Sequence, residues 1–350
     1  MLAAPAGTRR ARVRIISAMT PFNRRRTIPA LTLTALCAFA GLAHAQLKPD
    51  HLYNGVDRPI PMSVTRPAGK EGELSIQLLE PVSANVVKTA PVKEGPINLA
   101  SLFPTLWEDA TKRLLYTQLV VGEQRVGPAV VLQPMEDPRE AVVRENRVEW
   151  KPQPMRTFTG YRTYVDKMVV VETTAGDIQF VMRPDEAPNT AYNFLHLVEG
   201  GFYTDILIHR IVPRRPDGAP FVIQFGDPTG TGAGSPGYSI DLERSRLPHT
   251  YGVLSMARES APDTNGSQVF ICLSREGTQM LDGSYCSFAQ AISGVETITA
   301  LAATSVDGEG RPTTDPPPKV KNARLIDALP YGTAPKPVTR PATAAEPAAR

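Results

Sequence analysis

Residues 252–273 read GVLSMARESAPDTNGSQVFICL, and this stretch indicates the fold of the C-terminal half of the chain. Two short apolar runs, 252–256 and 268–273, flank a polar segment that is rich in turn-forming residues. Further out along the chain, similar runs punctuated by glycine or proline occur at 207–212, 221–224 and 287–290. Each has the length and composition of a β-strand, so this half of the chain is predicted to contain many short strands.

Two helices are predicted among these strands. The first opens at Pro188, where apolar residues begin to recur at helical spacing, and it ends at Gly200. The second follows Gly294 and carries apolar residues on one face. Ahead of both, residues 168–182 are expected to form a hairpin around the turn at 175–177. Many short strands with two helices favour a mainly β fold, a closed antiparallel barrel with helical caps, over a parallel α/β sheet.

The order of five motifs in this half resembles the cyclophilins. The motifs are IHRI at 208–211, FVIQ at 221–224, GVLSMA at 252–257, NGSQVFI at 265–271 and LDG at 281–283. The likeness covers about residues 168–327, and several separated motifs in one order make it specific. It implies an eight-stranded antiparallel barrel capped by two helices, with peptidyl-prolyl cis/trans isomerase activity.

The chemistry of that reaction also selects Arg210. Rotation about an X-Pro bond is slow, with a barrier near ~20 kcal/mol, because the C–N bond has partial double-bond character. A catalyst needs no nucleophile, but it needs a donor that favours the twisted amide and an apolar pocket that holds the proline ring. The guanidinium is always charged and offers several fixed donors. Arg210 also matches the catalytic arginine of the family.

The resemblance assigns further residues to the substrate site. Those that match the lining of the family's proline pocket are Phe221, Met256, Phe270 and Leu281, and those that match its contacts with the substrate backbone are Gln224 and Gln268. Taken singly, the apolar residues are more often core residues than pocket residues. Taken together with Arg210 and two glutamines, they favour the functional interpretation.

The chain departs from the family pattern at five places. Met280 stands where many eukaryotic relatives have a tryptophan that contacts cyclosporin, so weak binding of that drug is expected. Arg258 takes a place often held by asparagine, and Tyr285 replaces a histidine at the pocket rim. Phe225 occupies a position usually held by glycine, where a ring could narrow the substrate groove. Residues 214–220 form an insert beside the catalytic strand, which the fold is expected to tolerate.

The N-terminal half contains no constellation of catalytic residues. Residues 46–160 combine prolines with short alternating runs, which predicts a small β-rich domain of unknown role. A helical turn is expected over 102–115, starting at Pro104. Trp107 and Trp150 lie in this half and are interpreted as core residues.

The two ends of the chain are predicted to lie outside the folded domains. Residues 1–45 have the pattern of a secretory signal peptide, with basic residues at 24–26, an apolar run at 28–42 and then Ala-His-Ala. The run is too short to span a bilayer, which takes about 20 residues, so we expect cleavage before Gln46 and no stable membrane anchor. The mature protein is then periplasmic or secreted, in a bacterium. The isomerase domain is placed at 166–329 and a disordered tail at 330–350.

The composition excludes several other classes of function. A net charge of +3, from 38 basic and 35 acidic residues, is too small for a nucleic-acid surface. Five histidines leave few members for a metal site or a Ser-His-Asp triad, and no nucleotide-binding glycine loop is present. No cofactor or metal is therefore expected. Cys272 and Cys286 are interpreted as small buried residues, although a disulfide between them stays open at this point, as does the oligomeric state.

Two functions remain. The first is an exported prolyl isomerase that assists the folding of exported proteins and has proline-containing polypeptides as its partners. The second is a non-catalytic module that binds proline-containing peptides, in which the insert and Phe225 block turnover.

Overall fold

The computed structural model describes residues 46–108, 112–152 and 156–341, so the predicted signal peptide lies outside the described residues. The structure is mainly β, as predicted. The elements of the N-terminal half are β1 Leu47–Pro49, β2 Tyr53–Gly55, β3 Pro61–Val64, β4 Leu74–Leu79, β5 Val86–Pro91, β6 Gly95–Asn98, α1 Leu99–Leu102, α2 Thr105–Glu108, β7 Leu115–Val121, β8 Gln124–Arg125, β9 Val130–Glu136, β10 Ala141–Arg144, β11 Arg147–Trp150 and β12 Phe158–Val165.

The elements of the C-terminal half follow without a long connection. They are β13 Lys167–Thr173, β14 Gly176–Met182, α3 Pro188–Glu199, β15 Ile206–Leu207, β16 Arg210–Val212, β17 Val222–Phe225, β18 Val253–Met256, β19 Val269–Cys272, α4 Arg275–Thr278, a 3-10 turn Gln279–Leu281, β20 Ser287–Ser293, α5 Val295–Ala302 and β21 Lys319–Asp327.

The N-terminal half folds around its own apolar core. Its main sheet has the strand order β2-β12-β9-β7-β4-β5, with β8 paired to β7, and a smaller sheet has the order β1-β3-β6. Alternate residues of the central strands, such as Ile76 and Leu119, are fully buried in this core. The helical turn predicted over 102–115 is present as α2, which follows Pro104, but its predicted bounds are wrong, because residues 99–102 form the separate turn α1 and Leu115 already begins a strand.

The C-terminal half is one curled antiparallel sheet. Its strand order is β15-β21-β13-β14-β20-β18-β19-β17-β16. The two ends of this order, β15 and β16, are separated in the chain by only Ile208 and His209, so the sheet returns to its own beginning. The sheet has nine strands where eight are expected, because the segment 206–212 is interrupted at Ile208 and His209 and is divided into β15 and β16. The hairpin predicted over 168–182 is formed by β13 and β14.

The two predicted helices are present and pack on the curled sheet. Helix α3 lies against β13, β20 and β21, and α5 lies against β14, β16 and β17. Pro188 is in the first turn of α3. Two backbone N–H groups of this turn, those of Asn189 and Thr190, donate to the Glu243 carboxylate at 3.0 and 2.7 Å. A carboxylate at a helix N-terminus also complements the helix dipole. Glu243 thereby caps the N-terminus of α3 from a distant part of the chain.

The hairpin β10–β11 and the C-terminal segment connect the two halves. Ala141, Val148 and Trp150 of the hairpin pack against the apolar core of the curled sheet. Tyr331 stacks on Tyr116 of β7 with ring centroids 3.8 Å apart. The expectation of disorder from residue 330 is thus corrected near Tyr331, and residues 342–350 lie outside the described residues.

Among the described helices, none has the length and apolar character needed to cross a membrane.

Candidate active site

The register of three neighbouring strands brings the predicted polar residues together. Arg210 of β16 lies opposite Gln224 of β17, and Gln224 lies opposite Phe270 of β19. Residues that face each other across a ladder project to the same side of the sheet. Ser255 of β18 extends this row, because it lies opposite Phe270. The row is on the face away from the barrel core, whose residues alternate with it.

A chain of hydrogen bonds runs along this row. A guanidinium nitrogen of Arg210 donates to Oε1 of Gln224 at 3.5 Å, and the amide of Gln224 donates to Oε1 of Gln268 at 2.9 Å. Arg210 is exposed, and this is the only hydrogen bond of its side chain within the described part of the chain. The other donors of its guanidinium are therefore available to a ligand.

The glycine-rich segment after β17 holds the far end of this hydrogen-bond chain. The amide nitrogen of Gln268 donates to the carbonyl oxygens of Gly232 and Gly234 at 2.8 and 2.9 Å. Asp227 accepts hydrogen bonds from the N–H groups of Thr229 and Gly232. Burial acts to raise the pKa of Asp227, but these hydrogen bonds outweigh burial and lower it to about 2. The segment is thus tied down by an ionised carboxylate.

An apolar cluster lies next to Arg210 on the same face. Phe270 and Leu281 are buried, with 5% and 9% of their surface exposed, and Val222 belongs to the same cluster. Phe221 and Tyr285 pack against it and are only partly buried. The structure therefore brings together three of the four apolar residues predicted for the pocket, and Gln224 and Gln268 lie at its edge.

Met256 and Phe225 lie elsewhere, which corrects two sequence-based expectations. Met256 belongs to the barrel core and is 1% exposed, because it alternates with Ser255 and so projects to the opposite side of β18. Phe225 alternates with Gln224 in the same way and packs in the core against Tyr203, so its ring does not narrow the groove. Val222, two residues before Gln224, takes the place in the pocket that was assigned to Met256.

The predicted rim residues form a polar border around the cluster. The guanidinium of Arg258 lies over the ring of Tyr285 at 4.7 Å, and its Nε donates to the carbonyl of Ser284 at 3.0 Å. The ring of Tyr285 meets Phe270 edge to face, with centroids 5.8 Å apart. Met280 is 47% exposed and touches Arg215, a residue of the insert.

The insert at 214–220 forms a turn that contacts the residues around the apolar cluster. Arg215 donates to the carbonyl of Gly277 at 3.3 Å, and its guanidinium lies 5.9 Å from the ring centroid of Phe221. Sequence reasoning missed this contact because it treated the insert as a surface loop. The insert is thus one wall of the site.

His249 is a second residue that sequence reasoning missed. Its buried ring stacks on Phe270 at 6.0 Å, with an angle of 17° between the ring planes. Its Nδ1 lies 2.9 Å from the Asp282 carboxylate, and its Nε2 lies 2.9 Å from Oγ of Ser255. Only the proximity of His249 to the 252–257 motif could have drawn attention to it.

The cysteines take no part in this site as a bonded pair. Cys272 and Cys286 are both free and buried, and burial raises the pKa of each thiol well above its usual value. Thiols in such surroundings are unreactive. Within the described residues, no group of three or more His, Cys, Asp or Glu side chains is arranged to hold a metal ion.

The curled antiparallel sheet, with an arginine beside an apolar cluster, defines a barrel-like β protein with a candidate binding site. Comparison with known proteins identifies its family. The family model described as "Cyclophilin type peptidyl-prolyl cis-trans isomerase/CLD" matches residues 168–324. The peptidyl-prolyl cis-trans isomerase-like 1 of Aspergillus oryzae is 37% identical over 166 residues, which are 45% of this chain and 95% of that protein. A peptidyl-prolyl cis-trans isomerase of Synechococcus elongatus is 41% identical over 121 residues, which are 35% of this chain and 77% of that protein.

The same similarity extends to solved structures. The cyclophilin type peptidyl-prolyl cis-trans isomerase of Cryptosporidium parvum, crystallised in the presence of the dipeptide Ala-Pro, has 33% sequence identity and a TM-score of 0.41. The match covers 45% of this chain and 98% of that chain. The chain belongs to the cyclophilin-type peptidyl-prolyl cis-trans isomerase family. The resemblance seen in the sequence is confirmed, and the matched region contains Arg210 and the whole apolar cluster.

Proposed function

We propose that this protein isomerises X-Pro bonds of exported polypeptides, with Arg210 as the catalytic residue. The observation that carries the proposal is the position of Arg210. Its guanidinium is on the same face of the sheet as Phe270, and its single bond to Gln224 leaves donors free for a substrate. A family member with these residues in place has what the reaction requires.

The reaction needs one side of the rotating bond to be held while the other side turns. The proline ring is held by the apolar cluster of Phe221, Val222, Phe270 and Leu281. The guanidinium of Arg210 donates to the prolyl nitrogen, which becomes pyramidal and basic as the amide twists out of conjugation. This bond is stronger in the twisted state than in either planar isomer, so it lowers the barrier.

The glutamines hold the backbone of the substrate next to the proline. Gln224 and Gln268 lie beside Arg210 and present amide groups that can donate and accept hydrogen bonds. Because Gln268 is fixed by the segment at 232–234, the pair is positioned before the substrate arrives. Pre-positioned donors lose little entropy on binding.

The substrates we propose are proline-containing polypeptides outside the cytoplasm. The pattern of residues 1–45 supports export, and the Cryptosporidium parvum relative was crystallised with a proline-containing dipeptide. An exported chain that starts at Gln46 is therefore expected. The mass of the intact protein recovered after export measures this, and a mass that includes residues 1–45 would exclude cleavage there.

The test of the catalytic proposal compares Arg210→Ala with Arg246→Ala. Arg246 is a matched control because its side chain is 85% exposed and lies outside the pocket. NMR exchange spectroscopy on an X-Pro peptide should show that R210A loses a factor of about 10²–10³ in exchange rate, as expected when a donor to the reacting group is lost. R246A should match the wild type, and both variants should keep the wild-type circular dichroism.

Other outcomes would contradict the proposal. If R210A exchanges the peptide as fast as R246A does, Arg210 is not catalytic. If the wild type binds the peptide but does not accelerate its exchange, the protein is a binding module. Phe225 no longer supports that alternative, because its ring lies in the core.

A further inference from the structure

We propose that a groove between the β10–β11 hairpin and the loop at 258–263 binds the client chain a few residues away from the isomerised proline. This inference rests on the proposed function, since it assigns an extended binding site to the same substrate. The ligand is an extended polypeptide segment with apolar side chains. The hairpin lies outside the region 168–324 that matches the family model, so the family match does not cover this part of the site.

The groove has the size and lining of a peptide site. Its volume is about 510 Å³, and it is lined by residues 141–143 on one side and 260–263 on the other. This volume lies within the range of roughly 300–1,000 Å³ that is typical of ligand sites. Val143 is 39% exposed and presents an apolar side chain to the groove, and Pro262 adds an apolar surface opposite it. Only Ser260 and Asp263 bring polar side chains.

The wall formed by the hairpin offers main-chain hydrogen bonds to an extended ligand. Strand β10 pairs only with β11 among the described residues, so its second edge carries unpaired N–H and C=O groups. The groove is lined by residues of β10 and by none of β11, which places it along this free edge. Exposed strand edges bind extended peptides by adding a strand, and pockets between alternate side chains select the sequence.

The hairpin is held in place by the barrel. Ala141 is buried in the apolar core of the curled sheet, and Val148 and Trp150 pack against that core. The backbone N–H of Lys151 donates to the carbonyl of Glu140 at 2.9 Å and extends the hairpin pairing. The wall is therefore positioned before a ligand binds, which reduces the entropy lost on binding.

A short path joins the groove to the proline pocket. The ring of Phe270 lies 5.8 Å from the ring of Tyr285, and that ring lies 4.7 Å from the guanidinium of Arg258. A nitrogen of this guanidinium donates to the carbonyl of Ser260 at 3.0 Å, and Ser260 lines the groove. Extended chain advances about 3.3 Å per residue. A chain with its proline in the pocket therefore reaches the groove within about four residues.

The experiment compares Val143→Asp with Val87→Asp. Val87 is a matched control because it is a valine on strand β5 that is 37% exposed, and it lies outside the groove. Three peptides share one Ala-Pro centre: a capped four-residue peptide, and two longer peptides with eight Val, Ala and Thr residues added either before or after the centre. In V143D, the KM of one longer peptide should rise about tenfold, because a carboxylate replaces an apolar contact. The KM of the short peptide should change less than about twofold, and V87D should change neither.

Each other outcome decides against the groove or separates it from the proposed function. If the KM of each longer peptide is the same for V143D as for the wild type, the groove does not bind the client. If V143D affects the short peptide as strongly as a longer one, the hairpin acts through the barrel and the inference is overturned. If the wild type turns over none of the peptides, the proposed function fails, and fluorescence anisotropy of labelled peptides then tests the groove alone. Weaker binding of a longer peptide to V143D would support the groove, and equal binding would overturn it.

Discussion

Behind the proposed proline pocket, the ring of His249 connects the apolar cluster to two polar groups. It stacks on Phe270 and is bonded through its two nitrogens to Asp282 and Ser255. Burial lowers the pKa of His249 more than the Asp282 carboxylate raises it, so the net shift is below the ordinary value near 6.5. The neutral ring is therefore part of the native state.

The contribution of His249 to the stability of the protein should consequently decrease as the pH falls. The unfolded state takes up a proton at His249 near pH 6.5, and the folded state takes it up only at lower pH, so the free energy of unfolding falls between these two values. In His249→Asn this dependence should be weaker, although His209, whose pKa burial also lowers, keeps part of it. Urea unfolding at several pH values between about 4.5 and 7.5 measures the difference. Identical pH profiles for the two proteins would contradict the prediction.

At single positions, the sequence predicted which residues lie close together better than it predicted the side of the strand on which each one lies. Arg210, Gln224 and Phe270, which lie in one row of the sheet, could be selected because their residue types suit the predicted reaction and match family motifs. The placement of Met256 in the pocket failed because a motif does not show the side of the strand on which each residue lies. Counting in steps of two from Gln224 would have selected Val222 instead.

Among the elements, those with strong local signals could be predicted and those that depend on distant contacts could not. Helix α3 begins at Pro188 and α5 begins directly after Gly294, as local rules predict. The helical turn expected over 102–115 does not extend to Leu114 and Leu115. Both side chains are buried in apolar clusters from the extended chain that leads into β7 and forms its start. The insert at 214–220 gave no local signal for the contact of Arg215 with Gly277, because these two residues are 62 positions apart in the chain.

For the molecule as a whole, the mainly β class and the curled sheet followed from many short strands, but the connection between the halves did not. The contacts that join them involve residues far apart in the chain, such as Gln133 with Asn189 at 3.0 Å and Arg162 over the ring of Tyr192 at 4.2 Å. No periodicity in one sequence encodes such pairs. The packing of the hairpin β10–β11 on the barrel could not be predicted for the same reason. The hairpin lies in the half of the chain to which no role was assigned.

The clearest of these long-range connections is the return of the chain after β21 to the N-terminal sheet. Tyr331 stacks on Tyr116, its backbone N–H donates to Gln118 at 3.0 Å, and its hydroxyl accepts from the N–H of Val82 at 2.9 Å. Its carbonyl accepts from Arg125 at 3.0 Å. A residue with this many contacts holds the end of the barrel domain against the first half.

Replacing Tyr331 should therefore destabilise the first half without reducing turnover at the pocket. Tyr331→Ala removes the stacked ring and should lower the free energy of unfolding by about 2–4 kcal/mol, whereas Tyr331→Phe keeps the stack and should cost about 1 kcal/mol for the lost hydroxyl. In a Trp150→Phe background, the fluorescence of Trp107 reports unfolding of the N-terminal core, because Trp107 packs there against Tyr161 at 5.4 Å. The rate of prolyl exchange at 25 °C should stay at the value of the background protein, since Tyr331 contacts no residue of the pocket. Equal denaturation midpoints for Y331A and Y331F would show that the stacked ring does not hold the two halves together, and the connection would then have to rest on the hairpin and on the contacts of Arg162.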